Sequence, residues 1–253
     1  MEPVRNSKNP LVVEAARLHR ARERKQTGTT LIEGPHLLEE AIQAGADIRC
    51  VFALAHDADT VDLAGHFGID PVLVDEPALK RLAGTETPRG PIAVVAIPDE
   101  IDPIEQNLLV SWGVSDPGNV GTMIRTARAF GWAFGFAEGT ADPWSPKVLR
   151  SAAGSQFGTS IHSVSDLNRL VSSGYEPVAT VVRDGEDPSA LGEGRYALLI
   201  GEEAAGLPDD VVAACERSVT IPMPGGADSL NAAVAAGIIV YEIAKIVVAA
   251  RPK

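Results

Sequence analysis

The stretch from Ile221 to Val240, Ile-Pro-Met-Pro-Gly-Gly-Ala-Asp-Ser-Leu-Asn-Ala-Ala-Val-Ala-Ala-Gly-Ile-Ile-Val, constrains this chain more than any other. Ser218 to Ile221 reads as a short apolar strand. Pro222 and Pro224 lack N–H donors and fix φ, so the strand must stop there. Gly225 and Gly226 permit left-handed backbone and close approach of a ligand to the main chain. A helix then begins, with Asp228 or Ser229 as its expected cap. Its first turn leaves N–H groups unpaired beside Ser229 and Asn231. The plain alternative is an ordinary strand–turn–helix. The richer reading is a ligand cradle, and the rest of the chain decides between them.

The helix that follows, Ala232 to Ala250, is apolar enough to raise the question of a membrane span. Glu242 and Lys245 within it, and the polar loop before it, argue instead for a core or subunit-interface helix. An oligomer is expected on that ground. Cys50 and Cys215 lie far apart in apolar contexts and form no CxxC, so they read as buried thiols in a reducing, cytoplasmic setting without a metal site. Met1 to Pro10 has no apolar signal-peptide core. The net charge of −12 argues against a broadly basic nucleic-acid binder. It is unevenly spread. Residues 1–25 hold seven basic residues against three acidic ones, which leaves −16 on the remainder. A basic leading helix on an acidic body fits local contact with RNA and equally a solvated helix face.

Periodicity divides the 253 residues into two α/β units. In the first, helices are expected at Leu11–Lys25 (ending near Gly28), His36–Ala44, Ala58–His66 and Pro77–Leu82. Strands are expected at Thr29–Ile32, Ile48–Leu54, Pro71–Val74 and Pro91–Ile97. The domain is assigned to 1–97, and a linker to 98–106, where acidic residues are bracketed by Pro98 and Pro103. The second domain, 107–253, carries strands at Leu108–Val114, Ala133–Ala137, Pro177–Val182, Tyr196–Ile200 and Ser218–Ile221. Helices fall at Val120–Phe130, Lys147–Ala153, Ser165–Ser173 and Pro208–Cys215. Apolar strands alternating with helices imply a parallel sheet covered on both faces. Ligands bind beyond the carboxyl ends of such strands, which points to the loops after Val114, Val182, Ile200 and Ile221.

Three blocks in this second domain could carry chemistry. Gly113-Val-Ser-Asp-Pro-Gly-Asn-Val-Gly121 sits between strand and helix, but Asn119 stands where a P-loop needs lysine, and no GxGxxG is present. In the helix after it, Val120, Met123, Ile124 and Ala127 form the buried stripe. Gly121, Arg125 and Arg128 gather on another face, with Arg125 nearly opposite that stripe. An anion contact through Arg125 is favoured by the neighbouring loop; Arg128 reads as readily as a solvated residue. Ser145-Pro-Lys-Val-Leu-Arg-Ser151 places Lys147, Arg150 and Ser151 on one helical face. Gly201-Glu-Glu-Ala-Ala-Gly206 suggests a tight turn with free N–H groups, or simply acids ahead of a helix.

Together, Asn119-Val-Gly-Thr-Met-Ile-Arg125 through Gly131, Leu198-Leu-Ile-Gly201-Glu-Glu203-Ala-Ala-Gly206-Leu, and Ile221 through Asn231 resemble, in order and spacing, the three motifs of the SpoU/TrmH family of RNA ribose 2′-O-methyltransferases in the SPOUT superfamily. Residues 9–97 resemble that family's L30e-like substrate-binding domain. The resemblance implies a C-terminal parallel-sheet SPOUT domain with a deep trefoil knot, preceded by a smaller L30e-like α/β domain. It further implies S-adenosylmethionine as cofactor, RNA (ribosomal RNA) as partner, a homodimer, and neither metal nor membrane. By position, Gly201, Ile221, Met223 and Leu230 would hold the cofactor, with Thr180 added at its strand end. Arg125 would activate the ribose 2′-hydroxyl or bind its phosphate, reaching the other protomer's cofactor. Asn119, Glu203, Ser229 and Asn231 would shape the site, and Arg128, Lys147 and Arg150 would contact RNA. The family continues Ser-Leu-Asn with Val-Ser, whereas Ala232 and Ala233 stand here, which removes one hydroxyl from the helix start.

The reading is therefore methyl transfer to a ribose 2′-hydroxyl, with 23S-type ribosomal RNA as substrate. Within the same class stands an antibiotic-resistance methyltransferase acting on ribosomal RNA. Outside it stands a catalytically inactive RNA-binding protein of the same fold, or a small-molecule α/β enzyme, which the acidic charge favours but no motif supports.

Overall fold

The computed structural model describes residues 4–88, 90–100 and 106–250, with side chains described as far as Lys245. In chain order the elements begin with helices α1 (Pro10–Arg17) and α2 (Ala21–Thr27), β1 (Thr29–Glu33), α3 (Pro35–Gln43) and β2 (Ile48–Leu54). They continue with α4 (Ala58–His66), β3 (Val72–Val74), α5 (Glu76–Leu82), β4 (Ile92–Ala96), β5 (Leu108–Ser111), α6 (Pro117–Ala129) and β6 (Ala133–Phe136). Next come α7 (Pro146–Ser151), β7 (Ile161–Ser163), α8 (Leu167–Ser172), β8 (Glu176–Thr180) and β9 (Tyr196–Ile200). The last are α9 (Asp209–Ala213), β10 (Arg217–Val219) and α10 (Ala232–Ala250).

Contacts divide the chain into two units, Met1–Asp99 with Trp144–Gly158, and Glu100–Pro143 with Thr159–Lys253. The chain thus returns to the first unit for the segment around α7. Apolar burial explains the return: Leu149 is fully buried in one cluster with Ile32, Leu37, Leu38 and Val51, and Trp144 and Phe157 pack against it. The Thr30 hydroxyl donates to the Trp144 carbonyl at 2.6 Å, fastening the segment to β1. The first unit's sheet runs β1-β4-β2-β3, with β4 antiparallel to both β1 and β2 and β3 parallel to β2.

The second unit holds a six-stranded, wholly parallel sheet in the order β10-β8-β9-β5-β6-β7. Every residue of β5 and of β9 is buried, as expected of central strands covered on both faces. Parallel pairing brings the carboxyl ends Ser111, Thr180, Ile200 and Val219 to one edge of the sheet. Two helices of this unit begin with side-chain caps: Asp116 accepts the Asn119 amide at α6 and Asp166 the Asn168 amide at α8.

Four local expectations are corrected. The helix expected over 11–25 is two helices, because Arg20 is extended and the buried Arg24 guanidinium donates to the Leu18 carbonyl at 2.7 Å, holding the break. A short strand, β7, pairs with β6 where no strand was expected; three residues are too few for alternation to register. The strands read to Val114, Val182 and Ile221 stop earlier, at Ser111, Thr180 and Val219. Finally, α10 is capped by Asn231, whose side-chain oxygen accepts from the amides of Ala233 (3.0 Å) and Val234 (3.2 Å), and not by Asp228 or Ser229. Most of the expected linker, residues 101–105, lies outside the described residues.

Two predictions follow from this packing. A Cβ on Gly135 in β6 would come within 2.9 Å of Val164 and 3.2 Å of Val110, both buried. Gly135→Ala should therefore cost about 1–3 kcal/mol through overpacking, read as a lower urea midpoint at unchanged m. Cys50 and Cys215 are free thiols, and burial pushes each up to about 11. At pH 8 only about one thiol in a thousand would be thiolate. Mass spectrometry should find both largely unmodified by iodoacetamide in the native protein and both alkylated in urea.

Candidate active site

The carboxyl edge of the parallel sheet opens into a cavity of about 360 Å³. Its walls are the three loops after β8, β9 and β10 and the first turns of α10, including Gly201, Ile221, Met223, Ser229 and Leu230. Thr180 lines it at the end of β8, with its hydroxyl proton committed to the Leu199 carbonyl at 2.8 Å.

Local chemistry explains each wall. Gly201 ends β9 with no room for a side chain: a Cβ there would lie 2.2 Å from the Gly206 carbonyl carbon and 2.4 Å from the Leu207 nitrogen. The loop folds back on itself because the Glu202 amide donates to the Gly206 carbonyl (3.1 Å) and the Gly206 amide to the Glu202 carbonyl (2.8 Å). The expectation of a turn with free N–H groups therefore fails at those two positions. The next wall is tied to its neighbour by Thr220, whose hydroxyl donates to the Val181 carbonyl (3.1 Å) and accepts the Gly185 amide (2.9 Å). Behind it, Arg217 forks onto Glu186 at 3.0 and 2.8 Å, and this pairing holds the Glu186 carboxyl below its ordinary range. Gly226 adopts φ of +73°, the left-handed geometry its loop requires.

A chain of hydrogen bonds stands beside the cavity. The Asn231 amide nitrogen donates to the Asn119 side-chain oxygen at 2.8 Å, and the Asn119 amide nitrogen donates to Glu203. Glu203 itself lines the cavity. Three residues separated by as many as 112 positions are so brought together, one from each sequence block. Ser229 lines the cavity and is exposed.

The basic residues stand elsewhere. Arg125 and Arg128, on α6, are exposed and do not line the cavity, and Arg125 has no hydrogen bond or ion pair among the described residues. Lys147 is exposed and Arg150 half-buried on α7, in the first unit. Arg150 faces Glu33 at 3.5 Å, and the same carboxylate accepts the Gly84 amide (3.2 Å) and the Thr85 hydroxyl (2.5 Å). Sequence periodicity placed Lys147 and Arg150 on one helix face but could not show that Arg150 serves a loop through Glu33. Cavity-lining residues that sequence reading did not name include Val181, Val182, Ala235 and Ile239, whose only signal was position after a strand or on an apolar helix. Among the described residues no cluster of His, Cys, Asp or Glu is arranged to hold a metal ion, and no helix is long and apolar enough to cross a membrane.

These features define an α/β protein with a cavity of small-molecule size at the carboxyl edge of a parallel sheet. Residues 106–241 match the SpoU rRNA Methylase family, and residues 9–93 the MRM3-like substrate binding domain. The 23S rRNA (guanosine(2553)-2′-O)-methyltransferase RlmP of Bacillus subtilis is 34% identical over 248 residues, 96% of this chain and 99% of that protein. A solved RNA 2′-O ribose methyltransferase is 30% identical with a TM-score of 0.77, over 96% of this chain and 98% of that one. The SpoU methyltransferase AviRb from Streptomyces viridochromogenes, in complex with the cofactor AdoMet, is 26% identical with a TM-score of 0.84, over 96% and 100%. The chain belongs to the SpoU rRNA methylase family.

The two roles of Asn231 can be separated by substitution. Asn231→Ala removes both the helix cap and the donor to Asn119, and should cost about 1–2 kcal/mol in thermal or urea unfolding. Asn231→Asp keeps an acceptor for the α10 amides, where the helix dipole favours an acid, and replaces the donor to Asn119 by a carboxylate oxygen. It should therefore retain the cap's stability while breaking the link to Asn119.

Proposed function

We propose that this protein transfers a methyl group from S-adenosylmethionine to a ribose 2′-hydroxyl of RNA, with large-subunit ribosomal RNA as the substrate. The observation that carries the reading is the Asn231–Asn119–Glu203 chain beside a cavity walled by the family's motif loops. The residues fit the cofactor. The cavity's volume lies within the roughly 300–1,000 Å³ of small-molecule sites, and its walls mix apolar side chains with the backbone of residues 201–206. The absence of a side chain at Gly201, where backbone already fills the Cβ position, keeps that wall tight.

In this reading Ile221, Met223 and Leu230 hold the cofactor by apolar contact and backbone, and Thr180 shapes the floor. Bound there, the cofactor supplies a methyl group on a positively charged sulfonium. Glu203 sets a carboxylate on the cavity wall, and Asn119 fixes which way it faces. Arg125 binds the phosphate beside the reacting ribose and stabilises charge on the 2′-oxygen. A guanidinium stays protonated, so it is not the base.

The reading includes a homodimer in which Arg125 serves the partner's cavity. Its support is an exposed apolar stripe on α10. Val234, Ile238 and Tyr241 are 51%, 37% and 51% exposed at helical spacing, and Phe130 stacks edge-on against Tyr241 at 6.3 Å. Family membership is the support for a trefoil knot, and Cys50 and Cys215, both free, suit a cytoplasmic location. Lys147 and Arg128 remain RNA contacts in this reading, whereas Arg150 acts by steadying the Gly84–Thr85 loop.

The test is methyl transfer from tritiated S-adenosylmethionine into ribosomal RNA from cells lacking the protein, with the product mapped for 2′-O-methylation. One new site in large-subunit RNA is expected. Calorimetry showing no cofactor binding by the folded protein would favour an inactive RNA-binding role instead. Arg125→Lys should lower turnover on the order of 10²-fold, the scale of losing one oriented charge donor, while cofactor affinity stays within about twofold. Near-normal turnover of that variant would remove the guanidinium from the mechanism.

A further inference from the structure

The corner between α1 and α2 carries a concentration of cations that local structure does not explain. Arg17, Arg20, Arg22 and Lys25 fall within nine residues, and all four are exposed. None makes an ion pair or a side-chain hydrogen bond among the described residues, in a chain of net charge −12. Arg17 and Lys25 lie in the last turns of their helices, where the helix dipole welcomes a cation. Arg20 and Arg22 do not. Arg20 is the N-cap of α2 and makes no side-chain capping bond, and Arg22 stands in the first turn, the end where a cation is disfavoured.

The corner is also built rather than frayed. Arg24 is 4% exposed and donates to the Leu18 carbonyl, and the α2 helix closes on Gly28 in left-handed geometry. That internal clasp fixes the turn between the helices, so the other cations project from a defined bend. His19 completes it by bonding the Leu82 carbonyl through Nε2 at 2.9 Å.

We propose that this α1–α2 corner binds the phosphate backbone of the RNA substrate through Arg17, Arg20, Arg22 and Lys25. The proposal rests on the methyltransferase reading for the identity of the polyanion. It assigns the domain's substrate contact to a particular surface. Phosphate contacts of this kind position RNA and carry no sequence information, so the corner would add affinity without choosing the target nucleotide. An acidic protein gains from concentrating its few free cations, since the rest of its surface repels the same backbone.

The experiment compares the full-length protein with a variant carrying Arg17→Gln, Arg20→Gln, Arg22→Gln and Lys25→Gln. Binding of a fluorescein-labelled transcript of large-subunit ribosomal RNA is followed by anisotropy over a range of KCl. Each lost phosphate contact should reduce the slope of log K against log salt by about 0.7 to 0.9, so a fall of up to about 3 is expected. Affinity near 0.15 M salt should drop between about tenfold and a thousandfold. Cofactor affinity by calorimetry should be unchanged. A second variant, Arg17→Lys with Arg20→Lys and Arg22→Lys, should bind RNA nearly as the parent does, which separates lost charge from lost structure. An unchanged slope and affinity in the glutamine variant would overturn the proposal while leaving the methyltransferase reading intact. Conversely, RNA binding that depends on the corner without any methyl transfer would sink that reading and keep the corner.

Discussion

The architecture of the site depends on one side chain with two ends, the carboxamide of Asn119. Its oxygen accepts from Asn231 and its nitrogen donates to Glu203, so both ends are used. Its backbone amide is bonded to the Asp116 cap at 2.8 Å. An aspartate in its place could still accept from Asn231 but would set a second carboxylate against Glu203. A leucine of similar size could do neither. In the energetic sense the chain is modest, since partly exposed hydrogen bonds contribute on the order of 1 kcal/mol or less each. Its importance is geometric: it couples the start of α6, the loop after β9 and the start of α10.

That coupling matters because the cavity is made of loops. A parallel sheet delivers its strand ends to one edge, but loops there keep their shape only when something ties them together. Here the ties are of three kinds. Backbone pairing closes the 202–206 turn, the Thr220 hydroxyl links the β10 loop to the β8 loop, and the amide chain links both helices to the wall. Of these, only the amide chain ends on an ionisable side chain, Glu203. Behind the wall the Glu186–Arg217 fork adds a second carboxyl, which the guanidinium's hydrogen bonds hold below its ordinary range.

Charge follows a similar division of labour. The body is acidic, and several exposed cations stand in groups, four at the α1–α2 corner and Arg125 with Arg128 on α6, while others such as Lys8, Arg49, Lys147 and Arg183 are scattered. Arg24 and Arg150 show why counting basic residues misleads. Arg24 is spent on a helix break and Arg150 on Glu33, and neither offers its charge to a partner freely.

Much of this could be read before any coordinates. The β9 strand, Tyr-Ala-Leu-Leu-Ile, is apolar throughout, and a strand buried on both faces must be so. Pro222 and Pro224 set a limit that β10 could not pass, although the strand stops before it, at Val219. What stayed hidden needed neighbours distant in sequence. The cap of α10 is Asn231, whose side chain also donates to Asn119, a partner that appears only once α6 lies alongside. The segment around α7 joined the first unit because Leu149, Trp144 and Phe157 found their apolar partners there, and periodicity reports that a face is apolar without saying what covers it. Local rules are enforced by sterics within a few residues, so the sequence alone determined the order of most strands and helices and the limits they could not pass. Which loops meet, and which charges are consumed on meeting, is decided by long-range packing, and only the folded chain reveals it.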